Sequence, residues 1–204
     1  MAKKFFAILP ALMIMLMPMI CSASETVAVI PFHKKAVVSA ELTVGDEDYA
    51  AELVNEYLTD SGRFDIVDRE YLKETLDEQN LSMTGLVDPS TAAQIGMLVG
   101  AKYIVVGSIN GLSTVKKTGE VVGVGGKSLK VVAHISARMI EVETGRVVLA
   151  GSGTGSSTVH LVKAPLRLIR IGSDEVSQEQ VYDALDKAAD ALVKKMIKAM
   201  DNRR

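Results

Sequence analysis

The chain has 204 residues, a net charge of −2 from 23 basic and 25 acidic residues, and one cysteine, Cys21. This charge balance lacks the basic excess typical of nucleic-acid binding, so we expect no nucleic-acid partner. A lone cysteine cannot form an intrachain disulfide, so a hydrophobic core must stabilise the fold.

Residues 1–23 have the three parts of a secretory signal peptide. Lys3 and Lys4 form a basic start, residues 5–20 form an apolar run, and small residues follow at 22–23. The run is too short to be read as a membrane helix. We therefore predict an exported protein whose single domain covers residues 24–204.

Two processing routes remain open for the end of this signal. Ordinary cleavage between Ala23 and Ser24 would discard Cys21, whereas lipoprotein processing would attach a lipid to Cys21. The bulky Ile20 before the cysteine favours ordinary cleavage, because the lipoprotein peptidase accepts a small residue at that position.

Alternating strand and helix patterns begin the domain. A β-branched run ended by a proline predicts a buried strand over 26–32, and a loop follows over 33–43. Residues 46–62 start with acids, have one apolar helical face and end at a glycine, which predicts a helix. Residues 63–69 predict a second strand.

Two further helices and a third strand follow. Asp68 can cap the first of these helices, and Asp88 with Pro89 opens the second. Gly100 can take the left-handed position at the helix end, and the strand covers 102–109. The residues predicted to face inward are Tyr71, Leu72, Thr75, Leu76, Ile95, Leu98 and Val99.

The second half of the chain predicts an antiparallel hairpin and a terminal helix. Period-two alternation over 128–142 predicts a strand, 143–146 a turn, and 147–162 a returning strand. Residues 177–200 form an amphipathic helix pattern. The fold class is thus an α/β (α+β) layered sandwich with a mixed sheet, flanking helices and two β-hairpin excursions.

The sequence lacks the motifs of common enzyme classes. His33, His134 and His160 are far apart and have no cysteine near them, which argues against a metal site. The segment "VVGVGGKS" has Val121 where a phosphate-binding loop has its first glycine, and a strand follows it where that loop needs a helix. We therefore predict no enzyme, no cofactor and no metal.

The blocks "VAVIPF", "GRFDIVDRE" through "LVDPSTAAQIGMLVGAKYIVVGSI", and "ARMIEVETGRVV" lie in this order within residues 26–171. Together they make the chain resemble the curli secretion channel (CsgG/HfaB) family of bacterial envelope proteins. The resemblance implies a periplasmic α/β domain that assembles as a homo-oligomeric ring. In channel members, two hairpins from each subunit combine into an outer-membrane pore for unfolded curli subunits.

Two segments, 112–132 and 158–171, would carry these hairpins here. A lone hairpin leaves backbone groups unpaired, which hydrocarbon cannot satisfy, so spanning requires ring closure. A tilted spanning strand needs ~9–11 residues, so the first segment just suffices and the second is short. The candidate membrane residues are Val115, Val121, Val122, Val124, Leu129, Val131, Val159, Leu161, Leu166, Leu168, Ile169 and Ile171.

Two functional hypotheses follow. The first is a non-enzymatic ring-forming protein that serves protein export or surface-structure assembly at the outer membrane, with exported or envelope proteins as partners. The second is a soluble or lipid-anchored periplasmic adaptor that binds another envelope protein without forming a pore. The second is favoured by Lys116, Lys117 and Lys127, which would solubilise an exposed hairpin, and by the segment 33–48, which lacks the aromatic and asparagine residues of the family's pore constriction.

Overall fold

The computed structural model describes residues 25–35, 45–78, 88–121, 124–163 and 176–202. In chain order these residues form β1 Glu25–Val29, β2 His33–Lys34, α1 Asp46–Asp60, β3 Phe64–Ile66, α2 Arg69–Glu78, α3 Pro89–Leu98, β4 Tyr103–Val121, β5 Val124–Glu141, β6 Val147–Lys163 and α4 Gln178–Asp201. The predicted α/β layered class with a mixed sheet and flanking helices is confirmed.

All six strands belong to one mixed sheet, in which five follow the order β3-β1-β4-β5-β6 and β2 pairs with β4 off this path. β1 lies parallel to β3 and β4, and β2 lies on the same side of β4 with His33 opposite Ser108. β4, β5 and β6 are antiparallel, and the pairing of β5 with β6 is the hairpin that the sequence predicted over 128–162. The register of β4 shifts between Ile109 and Gly111, where Asn110 is the extra residue of a bulge.

Helices cover both faces of the inner part of the sheet. One buried cluster joins α1 and α4 to the face of β5 that carries Val131, Ile135 and Met139. A second cluster joins α2 and α3 to the opposite face through Ile104 and Ile140. Successive residues of a strand therefore face alternate sides of the sheet and pack in different cores. The fold thus has three layers, with the sheet between two layers of helices.

Local signals at the ends of α3 agree with the sequence prediction. The Asp88 carboxylate accepts hydrogen bonds from the backbone N–H groups of Ser90 and Thr91, at 2.8 and 3.2 Å. Hydrogen bonds from the hydroxyl groups of Ser90 and Thr91, and then these backbone bonds, hold the pKa of Asp88 well below its usual value. Gly100 has φ +67°, the left-handed conformation predicted for it.

Three details of the sequence prediction were wrong. Tyr71 is 52% exposed, because α2 buries only Leu72 and Leu76, which are one turn apart. Leu98 is 42% exposed, because α3 ends there and Val99, four residues after Ile95, takes the buried position. His33 and Lys34 were predicted to be in a loop but pair with β4 as β2.

Candidate functional site: the outer ribbon

β4, β5 and β6 continue as a three-stranded antiparallel ribbon, here called the outer ribbon, formed by residues 112–121, 124–132 and 157–163. In this ribbon β4 and β5 pair without a break, from Leu112 opposite Ala133 to Val121 opposite Val124. β6 stays paired with β5 as far as Lys163 opposite Gly125. The described residues of the first candidate hairpin segment, 112–121 and 124–132, thus belong to the paired strands β4 and β5.

The predicted membrane residues have mixed environments in the outer ribbon. Val115 and Val159 are exposed, at 41% and 39%. Leu129 and Val131 are buried, and Val131 belongs to the core cluster that contains α4. Val121, Val124 and Leu161 lie in the strands of the ribbon. The remaining predicted residues, Val122, Leu166, Leu168, Ile169, Ile171, Cys21, Ala23 and Ser24, lie outside the described residues.

Lysines interrupt the described surface of the outer ribbon. Lys116 and Lys117 are adjacent and both exposed, so ammonium groups extend from both faces of β4. Lys130 is exposed on β5, directly opposite Val115. The described part of the ribbon therefore combines two exposed valines with three exposed positive charges.

α4 lies unusually close to β6 because three glycines face it. A Cβ atom at Gly153 or Gly155 would collide with the backbone of α4 at Ala188 and Ala184. At Gly151 a Cβ would lie 3.1 Å from a methyl group of Leu192. The helix backbone thus rests directly on the strand, which fixes the position of the outer ribbon relative to the helical layer.

Contacts with α1 hold α4 in place along its N-terminal half. The Tyr57 hydroxyl donates a 2.7 Å hydrogen bond to Oδ1 of Asp186, and this bond together with partial burial raises the pKa of Tyr57. The rings of Tyr49 and Tyr182 have centroids 4.2 Å apart. Near the start of α4, the Gln178 amide donates to Asp46 at 2.8 Å.

The outer edge of β6 pairs with no other strand among the described residues. Two lysines of α4 reach this edge: Nζ of Lys195 donates to the Ser152 carbonyl at 2.8 Å, and Nζ of Lys187 donates to the Ser156 carbonyl at 3.4 Å. Lys187 also pairs with Asp183 at 2.6 Å, which lowers the pKa of that carboxyl group. The two lysines therefore occupy outward carbonyls only as far as Ser156.

A polar network lies on the sheet face opposite α4. The Ser108 hydroxyl donates to Oδ1 of Asn110 at 3.0 Å, and the Asn110 amide donates to the Ser136 hydroxyl at 2.8 Å. The two serine hydroxyls are 3.1 Å apart, which closes a ring of three hydrogen bonds. Next to it is a groove of about 400 Å³, whose walls include His33, Lys35 and Arg138.

The described ranges lack two further kinds of functional signal. Among these residues, no group of three or more His, Cys, Asp and Glu side chains could hold a metal ion. No helix in this part of the chain is long and apolar enough to cross a membrane.

Sequence reasoning missed the lysines at the edge of β6 and the three glycines beneath α4. The glycines had a readable signal, since Gly151, Gly153 and Gly155 recur with period two and so share one strand face. Small residues on one strand face indicate close approach by another backbone. Lys187 and Lys195 had no such signal, because lysines four or eight residues apart are ordinary on a solvated helix face.

A mixed sheet between two helical layers, extended by an antiparallel ribbon, defines the architectural class of this protein. The chain belongs to the family described as curli production assembly/transport component CsgG, which matches it over residues 21–204. The resemblance inferred from the sequence is thus confirmed, and the protein is an envelope protein of a family concerned with assembly and transport.

Several solved structures are similar at low identity, while no curated protein matches the chain. The LpoB C-terminal domain from Salmonella enterica is 20% identical, with 71% of this chain and 92% of that chain covered and a TM-score of 0.46. The same domain from Escherichia coli is 21% identical, with equal coverage and TM-score. A lipoprotein from Neisseria meningitidis is 10% identical, with 88% and 96% covered and a TM-score of 0.44.

Proposed function

We propose that the protein is a non-enzymatic, ring-forming envelope protein that serves protein export or surface-structure assembly at the outer membrane. Family membership supports assembly or transport as the general task. The observation that carries the proposed ring is the outer edge of β6 beyond Ser156, where no strand of the described chain pairs with it. Copies of the same chain are its proposed partners there.

The direction of the backbone groups in β6 defines the residues that would pair. In an antiparallel strand, the N–H and C=O of one residue point to the same side, and the side alternates along the chain. Lys195 and Lys187 reach the carbonyls of Ser152 and Ser156 from outside, so alternate residues from Ser152 onward point outward. Thr158 is therefore the first outward residue beyond the lysine contacts. A long unpaired edge of this kind is a template for strand addition.

The test uses full-length protein purified from membranes in mild detergent. Thr158→Pro removes an outward N–H and leaves the ladder to β5 intact, because proline is tolerated where an edge strand's N–H faces outward. Thr158→Val is the matched control, since it loses the hydroxyl and keeps the N–H. We expect rings for the wild type and Thr158→Val, and smaller species for Thr158→Pro, in electron micrographs. Monomers alone for the wild type would refute the ring, and rings of Thr158→Pro would refute pairing through β6.

A second candidate function is the adaptor that binds another envelope protein without a pore. The exposed Lys116, Lys117 and Lys130 favour it, because charged side chains on both faces of a ribbon are costly in hydrocarbon. Planar-bilayer conductance and resistance to extraction with alkaline carbonate distinguish the two functions. Conductance by the purified ring supports the pore, whereas rings that never conduct and are extracted by carbonate support the adaptor.

The N-terminus is proposed to be processed as a secretory signal, with cleavage between Ala23 and Ser24. The bulky Ile20 supports this route, because it precedes Cys21 at the position where lipoprotein processing requires a small residue. Mass spectrometry of the mature N-terminus decides between the routes. A chain that begins at Ser24 supports cleavage, and a diacylglyceryl adduct on Cys21 would overturn it and fix the protein to the membrane.

A further inference from the structure

The groove on the sheet face opposite α4 has no role in the proposed ring. It lies where β2 meets β4 and continues across β5 to β6, and its volume is about 400 Å³. The residues that line it include His33, Lys35, Ser108, Ser136, Arg138 and Gly151. No carboxylate is among them, although acidic residues outnumber basic ones in the chain.

The two cationic side chains of this groove are exposed and have no acidic partner among the described residues. Neither Lys35 nor Arg138 forms an ion pair there, whereas the neighbouring Lys34 pairs with Glu47 at 3.1 Å. An arginine beside an open groove presents several N–H donors in a planar fork that matches an oxyanion.

The floor of the groove is polar and held in a fixed arrangement. Ser108 and Ser136 are tied to each other and to Asn110 by the ring of hydrogen bonds described above.

We propose that this groove is a binding site for an oxyanion, a carboxylate or phosphate group, held by Lys35 and Arg138 over the Ser108–Ser136 floor. The volume accommodates an anionic group together with the small molecule or chain end that carries it. Charge-assisted hydrogen bonds from both cations supply the attraction.

The test is an NMR titration of the full chain with two probes, inorganic phosphate and succinate. We expect saturable shifts of the backbone amides of Gly107, Ala137 and Gly151 at roughly millimolar dissociation constants. Lys35→Gln and Arg138→Gln should each weaken binding by about tenfold, as expected for one charge-assisted hydrogen bond. Lys198→Gln is the matched control, because it removes one exposed positive charge from α4 on the opposite face of the sheet.

Tighter binding of phosphate supports a phosphorylated ligand, and tighter binding of succinate supports a carboxylate ligand. An absence of saturable shifts with both probes at roughly 10 mM overturns the proposal. Equal weakening by Lys198→Gln also overturns it, since the attraction would then arise from the overall charge. Both groove side chains are exposed, so their replacement leaves the core intact, and circular dichroism checks this.

Discussion

Nζ of Lys195 lies 2.8 Å from the backbone carbonyl oxygen of Ser152, on the outer edge of the last strand of the sheet. Lys187 repeats the contact two turns earlier in α4, at Ser156 and 3.4 Å. Lysines on edge strands are a known defence against unwanted strand pairing. Here the lysines come from a helix, and they cover β6 beside that helix while Thr158 and the residues after it lie beyond their reach.

Removal of the Lys195 contact should expose a further outward carbonyl of β6, that of Ser152. We expect Lys195→Met to tighten self-association of the mature chain by roughly fivefold, because an outward carbonyl becomes available to another strand. Sedimentation equilibrium in detergent measures the change. Lys194→Met is the matched control, because Lys194 pairs with Asp190 and does not contact β6. Equal association of the two variants would show that the lysine contact does not protect the edge.

Close packing of α4 on β6 should make the glycine face intolerant of a methyl group. Gly153→Ala places Cβ against the Ala188 carbonyl and 2.8 Å from the Leu192 nitrogen, so the helix must move away. We expect a loss of about 1–3 kcal/mol in the free energy of unfolding, measured by urea denaturation.

Gly111→Ala provides the comparison for this substitution. Nothing lies within 4 Å of a Cβ at Gly111, and its φ is outside the left-handed region. Its free energy of unfolding should change by less than about 0.5 kcal/mol. Equal losses for the two variants would mean that the closeness of α4 is not what requires glycine at position 153.

Much of the fold could be predicted because its signals are local. Asp88, Pro89 and Gly100 mark both ends of α3 within the sequence itself, and alternation along β5 predicts which residues enter the core. The candidate site depends on contacts between distant segments. Lys195 and Ser152 are 43 residues apart, and Lys35 and Arg138 come together only through the pairing of β2 with β4 and of β4 with β5. The periodicity of the sequence carries no information about contacts between residues that are so far apart along the chain.

The cap of α3 predicts a pH-dependent loss of stability. Asp88→Ala removes the acceptor for two backbone N–H groups, so we expect a lower melting temperature at neutral pH. The pKa of Asp88 is lowered in the native state by hydrogen bonds from Ser90 and Thr91. Its contribution is therefore fully present above the unfolded pKa of about 3.9 and is lost as the pH falls through the lower native value.

Melting temperatures of the wild type and two variants across the acid range test this. The difference between wild type and Asp88→Ala should be constant above about pH 5 and shrink below about pH 4. Asp88→Asn is the control, because asparagine caps a helix nearly as well and does not titrate. A difference between wild type and Asp88→Ala that is independent of pH would argue against an ionised cap.

The hydrogen bond from Tyr57 to Asp186 predicts the opposite dependence on pH. Tyr57→Phe removes the donor that joins α1 to α4, and we expect a loss of about 1 kcal/mol in the free energy of unfolding at neutral pH. The native pKa of Tyr57 is raised, first by this hydrogen bond and then by burial. The contribution of Tyr57 is therefore complete below the unfolded pKa of about 10 and is lost as the pH rises through the higher native value.

Urea denaturation between neutral pH and about pH 11 should show the gap between wild type and Tyr57→Phe closing at the alkaline end. Tyr71→Phe, at a residue that is 52% exposed and hydrogen-bonds to nothing through its side chain in the described structure, should match the wild type throughout. A gap for Tyr57→Phe that persists unchanged at the alkaline end would contradict a titrating link between the two helices.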